Sequence, residues 1–418
     1  KFTEVKNSSF ASDAEFEDTD AIIADVTGKG NKDHILVSGG NNVNADKSLY
    51  QPRLYENQGN GIFTRSLFNI PSTGHNAAVI VAHDFDGDGD LDLFIGSRSV
   101  PGIYGIDPTH QLLENDGQGN FKDVTESKAF ELKGIGMVTS AIWEDMDGDG
   151  MKDLVLAGEW MAPKIFRSTP QGLLPWDTNL DELTGAWTAV AATDLNGNGH
   201  NDLILGNRGT NSFYNVSPEG PVKAFINDFD NNGTIEQIFT RPIKGKDVPV
   251  HLRRELAGQI SSIKKQNLKF SEYARRSIDE LFSEEILENS IVKNISTFKS
   301  VVAINNGDGT FSIEELPARA QLSSIHAIEI LEVEDGSKNL VLAGNNHHLK
   351  PQFTRLDANQ GVILTRNKNG SYKVMNPKET GLLLKGQVRA LNLITNKQGE
   401  KFLILGLNNE QPEIYKLN

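Results

Sequence analysis

Polar and apolar positions alternate along this chain in short blocks. Apolar runs rich in Leu, Ile and Val, several closing on Gly, are separated by segments of Asn, Gly and Asp, the pattern of β-strands joined by tight turns. Buried strands are expected at 34–39, 92–96, 153–158, 202–206, 236–240, 339–344 and 401–406. A second repeat interleaves with them: a strand, a turn rich in Asn and Gly, then another strand. Its clearest copies are 54–63 and 112–121, with weaker ones at 165–174, 303–311 and 364–372. These are hairpin signals. An acidic loop, a buried strand and an outer hairpin together supply the four strands of one propeller blade. The expected fold is therefore all-β, a seven-bladed β-propeller over 1–418, closed by pairing the chain ends 2–5 and 413–418. The spacing from Asp194 to Asp228 is 34 residues against 59 from Asp25 to Asp84, which leaves six blades open.

One stretch breaks the pattern. From 249 to 297 the apolar positions take helical spacing: Leu252, Leu256 and Ile260, then Tyr273, Ile278, Leu281 and Phe282, then Ile286, Leu287 and Ile291. Ser271 and Ser283 are the expected N-caps. This predicts a helical insertion within the fifth blade, with a basic surface that either faces solvent or meets an anionic glycan or a partner.

Four of the expected strands are entered from an acidic loop. Counting from its first Asp, oxygen-bearing side chains fall at positions 1, 3, 5 and 9. They are Asp84, Asp86, Asp88 and Asp92; Asp145, Asp147, Asp149 and Asp153; Asp194, Asn196, Asn198 and Asp202; and Asp228, Asp230, Asn232 and Glu236. Glycines allow a tight turn that presents the position-7 carbonyl inward, from Asp90, Met151, His200 and Thr234. Oxygen-only ligands on a flexible loop suit Ca2+ better than Mg2+, which keeps its waters and a strict octahedron. Without an ion, like charges about 4 Å apart repel by roughly 4 kcal/mol per pair at an effective dielectric of about 20. About four bound Ca2+ are therefore expected. The helix-loop-helix calcium motif is excluded, because position 12, where it needs a bidentate Glu, holds Ile95, Leu156, Leu205 and Phe239.

Three other loops depart from this pattern. In 25–33, Lys29 stands where the third side-chain ligand belongs, and its ammonium is expected to replace the cation by pairing with Asp25 and Asp33. The segments 332–339 and 395–400 read as ordinary turns.

Composition changes the picture only in part. The chain is 38% hydrophobic, with no apolar run long enough to span a bilayer. The net charge of −15 argues against nucleic acid, and 14 of the acidic residues lie in the four loops, so four calcium ions would offset eight charges. Without cysteine there are no disulfides or thiolate metal sites, which fits the cytoplasm or bacterial export relying on calcium instead. The start at Lys1 shows no leader pattern and reads as a mature product or a fragment.

The Asp-x-Asp-x-Asp-Gly-x-x-Asp loops feeding Leu/Ile/Val-Gly strands, interleaved with Asn-x-Gly-x-Gly-x-Phe hairpins, resemble the FG-GAP/VCBS repeats of integrin-alpha-like propellers. More narrowly, the order of 224–233, the helical insertion, Leu316-Pro317 with Ala320-Gln321, and 342–345 is similar to large exported VCBS-repeat proteins of Bacteroidetes-type bacteria. The resemblance implies a cell-surface or secreted calcium-binding propeller, usually without assigned catalysis. The expected role is a non-catalytic binding or scaffold module for a protein, a polysaccharide or other outer-membrane components.

The alternative is a carbohydrate-active propeller enzyme, a lyase or hydrolase. His75, His83, His110, His326 and the pair His347-His348 show no recognised ligand spacing, and no nucleophile or phosphate-loop motif occurs. Trp143, Trp160, Trp176 and Trp187 either form a sugar-stacking platform or pack between blades, as large aromatics commonly do.

Overall fold

The computed structural model describes residues 8–40, 46–67, 70–214, 216, 220–333, 336–353 and 355–417. The protein is mostly β, with six four-stranded antiparallel sheets, consistent with a propeller, and one three-stranded sheet. The chain divides into two compact units, one running to Glu159 with Pro163–Asp177, the other comprising Trp160–Ala162 and Thr178 onward.

The first unit holds three sheets of one design. They are β1 (Asp18–Ala24), β2 (Asp33–Ser38), β3 (Arg53–Asn57) and β4 (Phe63–Arg65); β5 (Asn76–His83), β6 (Asp92–Ser99), β7 (Gln111–Asn115) and β8 (Phe121–Asp123); and β9 (Met137–Glu144), β10 (Asp153–Met161), β11 (Lys164–Thr169) and β12 (Gly172–Pro175). In each, consecutive strands pair antiparallel. The second strand is the buried one, because both its faces meet apolar neighbours; Leu93, Phe94, Leu154, Val155 and Leu156 have no exposed surface.

The second unit begins a fourth such sheet with β13 (Gly185–Thr193) and β14 (Asp202–Asn207). The chain then leaves it to build another sheet from β15 (Val222–Asn227), β16 (Glu236–Ile243), β17 (Lys246–Pro249) and β18 (Ile291–Ile295). It returns as β19 (Val301–Asn305) and β20 (Phe311–Glu315), with β19 pairing directly against β14. A fifth sheet of the repeated design follows in β21 (Ile325–Glu332), β22 (Lys338–Gly344), β23 (Val362–Arg366) and β24 (Tyr372–Val374), and then the three-stranded sheet β25 (Val388–Thr395), β26 (Lys401–Leu407) and β27 (Glu413–Lys416). Residues 2–5, the expected closing partner of the last strand, lie outside the described residues.

The sheet containing 236–240 is thus an insertion between the second and third strands of another sheet, and the sequence order conceals this. Two features separate it from the six repeats. Each repeat has a register shift in its first strand pair, as at Ala157/Gly158 and Ile325/Ala327, whereas β15 and β16 pair without one. The repeats also place Gly near the end of the second strand, where a Cβ at Gly344 would lie 2.0 Å from the Ser324 carbonyl oxygen; the inserted sheet has Thr240 there.

Five short helices, Arg253–Gln259, Ser261–Gln266, Phe270–Tyr273, Ile278–Leu281 and Glu284–Glu288, connect β17 to β18. Leu256, Ile260, Ile263, Tyr273, Ile278, Leu281 and Phe282 pack with Phe225, Phe229 and Ile238 of the inserted sheet in one core. Two local expectations are corrected. Ser271 is inside a helix whose N-cap is Lys269, because Glu272 accepts the Lys269 N–H at 3.1 Å. Ile291 begins a strand, because 291–295 pairs with β15. Ser283 is the N-cap of the last helix, as expected. The segment 395–400 is a turn closed by Asn396 N–H to the Glu400 carbonyl at 2.9 Å; in 332–339, residues 334 and 335 lie outside the described residues. Among the described residues no helix is long and apolar enough to cross a membrane.

Candidate metal centres

All four acidic loops, and the loop 25–33, connect the first and second strands of a sheet. Their shape follows from two carboxylates. The position-1 Asp gathers backbone N–H groups from the turn: Asp84 accepts from Gly87 at 2.8 Å and Gly89 at 3.0 Å, Asp145 from Gly148 at 2.7 Å and Gly150 at 3.0 Å, and Asp194 from Gly197 at 2.7 Å and Gly199 at 2.9 Å. Asp228 does the same with Asn232 and Gly233. Gly87 and Gly89 have φ of +79° and +100°, which turns these N–H groups inward and which L side chains resist.

The position-9 carboxylate ties the loop to the sheet. Asp92 accepts the Phe85 N–H at 3.1 Å through one oxygen and the Asn115 N–H of β7 at 2.8 Å through the other. Asp153 accepts from Met146 and from Ser168 of β11, both at 3.0 Å, and Asp202 from Leu195 and from Asn305 of β19, both at 2.8 Å. Asp33 repeats the pattern with Thr27 at 3.3 Å and Asn57 of β3 at 2.8 Å. The third-strand Asn then completes the joint. Asn115 donates through Nδ2 to the carbonyls of Val26 at 2.9 Å and Leu91 at 3.0 Å, and accepts the Gly119 N–H at 3.1 Å. The hairpin Asn residues are therefore structural parts of the loops, a role the sequence reading missed although their Asn-x-Gly spacing was visible.

Three loops bring carboxylate oxygens together within 4.8 Å: Asp84, Asp86 and Asp92; Asp145, Asp147 and Asp153; and Asp228, Asp230 and Glu236. Asp88, Asp90 and Asp149 belong to the same loops, and Asp88 and Asp149 accept N–H bonds from Asp90 and Met151 at 3.1 and 2.8 Å. Crowding is visible in the proton affinities. Burial pushes the Asp92 carboxyl up to about 7 and Asp153 to about 6; burial and then the charges of Asp88, Asp86 and Asp84 push Asp90 up to about 6. Glu236 is raised by burial as well. One buried oxygen on Asp90 and one on Asp230 accept no hydrogen bond, and neither does one on Asp25 in the loop 25–33. Hard oxygen donors, mutual repulsion and unsatisfied buried carboxylate oxygens fit a divalent cation of the calcium type. Asp84, Asp86 and Asp92, and their counterparts, would hold it, and it would neutralise the loop.

The third loop differs. It has two side-chain carboxylates, Asp194 and Asp202, where the other three keep three or more, while Asp202 is bonded by backbone N–H groups just as Asp92 and Asp153 are. Asn196 and Asn198 accept from Asn198 and His200 N–H, both at 2.9 Å, while Asn198 Nδ2 donates to the Asn305 carbonyl at 2.9 Å. Lys338 places its Nζ 2.9 Å from the Asp194 carbonyl oxygen. At Thr234, in the fourth loop, the N–H donates to Asn232 at 2.7 Å.

In 25–33 the expected lysine pairing is corrected. Lys29 pairs with Glu56 at 2.6 Å; Asp33 is saturated by backbone N–H groups, while Asp25 accepts the Gly30 N–H at 2.7 Å through one oxygen and keeps the other buried without a hydrogen bond.

The histidines and tryptophans take separate structural positions. His110 is buried; its Nδ1 accepts the Ser97 N–H at 3.0 Å and its Nε2 lies 3.1 Å from the Gly136 carbonyl oxygen, and burial lowers it to about 4. His75 accepts the Thr109 N–H, His83 lies against Trp143, and His347 contacts Arg355. Trp160 stacks on Phe239, Trp187 is buried and Trp176 lies under Arg167.

Two outcomes follow from this geometry. Asn115→Ala leaves two carbonyls and one N–H without partners and lowers stability by about 3 kcal/mol, read from urea unfolding midpoints against exposed Asn306→Ala, which changes stability by less than about 0.5 kcal/mol. The carboxyls raised above their unfolded values bind more protons in the folded, cation-free chain, so its stability falls as pH rises from 4 towards 7; added Ca2+ removes this penalty. The calcium-induced rise in melting temperature is therefore larger at pH 7.5 than at pH 5.5, measured by paired melts in EGTA and Ca2+.

Solved structures similar to the chain include BBS1N in complex with ARL6DN, at 9% identity over 95% of this chain and 91% of that one with a TM-score of 0.35. Another is MPT-4, a mannose phosphorylase from Leishmania mexicana in complex with phosphate ion, at 10% identity over 98% and 92% with a TM-score of 0.29. Likeness at this level carries no functional inference. No curated protein matches the sequence. The FG-GAP-like repeat family matches residues 25–95 and 145–205, each span running from the first Asp of one loop to the buried strand after the next. The chain thus carries FG-GAP-like repeats over these two spans, which contain the loops 25–33, 84–92, 145–153 and 194–202, while the loop 228–236 lies outside them.

Proposed function

We propose that the protein is a non-catalytic, calcium-stabilised propeller module that binds a protein or polysaccharide, or acts as a scaffold, at the surface of a bacterial cell. One observation carries this reading: the carboxylate clusters sit where the first strand of a sheet turns into the second, and in two of the three a carboxylate also bonds the third strand. A cation there would act on the frame, stabilising it by mass action. The six repeats, with the β15–β18 sheet as an insertion, favour six blades over seven. Loops of the calcium type suit an extracellular setting, where calcium is millimolar, and the absence of cysteine is compatible with it.

A carbohydrate-active enzyme is the second reading. A recess of about 300 Å3 in the first unit is lined by Arg98, Tyr104, Asn76 and Ser99. Glu159 binds Arg98 through two hydrogen bonds at 3.0 and 3.1 Å and accepts the Tyr104 hydroxyl at 2.7 Å. Since one carboxylate already engages both groups, the recess suits sugar recognition better than proton abstraction.

Metal counting on the dialysed protein, with melts in EGTA and in millimolar Ca2+, tests the frame. The expected result is up to four calcium ions with the weakest in the 194–202 loop, a large fall in melting temperature on chelation, and at least about tenfold tighter binding at that loop in Asn196→Asp. No bound calcium and no shift would overturn the reading. Incubation with acidic and neutral polysaccharides tests the role: retention without new reducing ends or unsaturated uronates is expected, and their release establishes the enzyme instead.

A further inference from the structure

We infer that the helical insertion carries a membrane-docking tip: Leu268 and Phe270, within a stretch rich in lysine and arginine, which seat on an anionic phospholipid surface. Leu268 is 79% exposed and Phe270 65%, while Leu252 nearby in sequence is 49% exposed. Singly exposed apolar side chains are ordinary, and Leu67 is more open still, but Leu268 and Phe270 stand together in the chain within a basic stretch.

Their exposure is held in place. On one side Asn267 is fully buried, its Nδ2 bonded to the Ile263 carbonyl at 3.1 Å, and its own carbonyl accepts Arg253 Nε at 2.6 Å. On the other, buried Tyr273 donates its hydroxyl to the His251 carbonyl at 2.9 Å. Between these anchors the chain presents Leu268, Lys269 and Phe270 outward, with Arg253 over the Phe270 ring at 5.1 Å.

Charge identifies the occupant. Residues 252–276 contain seven Lys and Arg against Glu255 and Glu272, an excess of five positive charges in a chain of net charge −15, so the remainder carries −20. Arg254, Lys264, Lys265, Lys269 and Arg275 are exposed and make no ion pair among the described residues. Glu255, by contrast, is held by Lys350 at 3.1 Å. Two apolar side chains are far short of the roughly 800 Å2 per partner that a stable protein interface buries. A bilayer accepts such a tip: the apolar side chains enter the boundary between headgroups and acyl chains, and the cations meet lipid phosphates.

Co-sedimentation of the full chain at fixed calcium tests this, using vesicles of phosphatidylglycerol with phosphatidylcholine against phosphatidylcholine alone. The wild type is expected to bind the anionic vesicles, more weakly as salt rises, and to ignore the neutral ones. Lys264→Glu with Lys265→Glu and Lys269→Glu lowers partitioning by at least ~100-fold. Leu268→Ser with Phe270→Ser also lowers it, and Arg254→Ala with Arg275→Ala provides a milder pair should either variant melt early. Equal binding to both vesicle types, no binding by the wild type, or undiminished binding by all the variants overturns the inference. So does a dimer in sedimentation velocity that Leu268→Ser with Phe270→Ser abolishes while vesicles are ignored.

Discussion

A single buried carboxylate, the last residue of each acidic loop, is the constraint on which the repeated sheets depend. Asp92, Asp153 and Asp202 are almost wholly buried, and each accepts one N–H from its own loop and one from the third strand of its sheet. A carboxylate suits this position because its two oxygens can serve two segments at once, and bonds to a charged acceptor are roughly twice as strong as neutral ones. The hairpin then locks onto the same point through Asn57, Asn115 and Asn305, whose Oδ1 caps the turn of the hairpin. In the four repeats that keep it, strand order, loop shape and hairpin position are thereby coupled through one side chain per sheet.

The inserted sheet shows how much of that coupling is optional. Its loop keeps the position-1 carboxylate and its nest of N–H groups, yet the closing residue is Glu236, whose longer side chain reaches back to the Phe229 N–H at 3.1 Å. The inserted sheet follows β16 with a short hairpin to β17, has no register shift in its first pair, and buries Phe229 against Phe282 with ring centroids 4.6 Å apart. The host sheet tolerates the detour because the chain returns to where it left: Asn207 at the end of β14 donates from its N–H to Ser300 Oγ at 2.9 Å and from Nδ2 to the Thr297 carbonyl at 3.2 Å. An insertion that closes on itself in this way leaves the ladder between β14 and β19 intact.

What was legible in the sequence was local. The buried second strands and the outer hairpins follow from alternation and turn chemistry and emerge where they were expected, and the carboxylates expected from their spacing draw together in three of the four loops. Nonlocal pairing was not legible: the short spacing from Asp194 to Asp228, Glu236 and Thr240 set 222–240 apart, but its loop imitates the repeat and the contact between β14 and β19, almost a hundred residues apart, is what shows it to be an insertion. Ile291 was misread because its spacing from Ile286 and Leu287 fits a helix as well as a strand start. The Lys29 pairing was misread because charge alone favours the nearest carboxylates, whereas Asp33 had already been taken by backbone donors. The bond from Asn115 to the Val26 carbonyl spans 89 residues, so no spacing rule exposes it.

The five loops solve one electrostatic problem in graded ways. A turn that points several backbone N–H groups at one Asp also draws its other acidic side chains together, and the resulting repulsion must be met by a cation, a proton or a change of residue. The loop from Asp84 holds five carboxylates and drives Asp90 and Asp92 towards neutrality; the loop from Asp194 has replaced two of them with Asn and lies against Lys338. Asp194 remains below the usual carboxylate range even though burial opposes it, because four backbone N–H groups outweigh the burial and little like charge surrounds it. In 25–33 a lysine has entered the loop and taken a partner on the neighbouring hairpin strand. Dependence on a cation should therefore rise with the number of carboxylates a loop retains, which makes the sheet following Asp84 the most sensitive part of the frame and the first sheet the least.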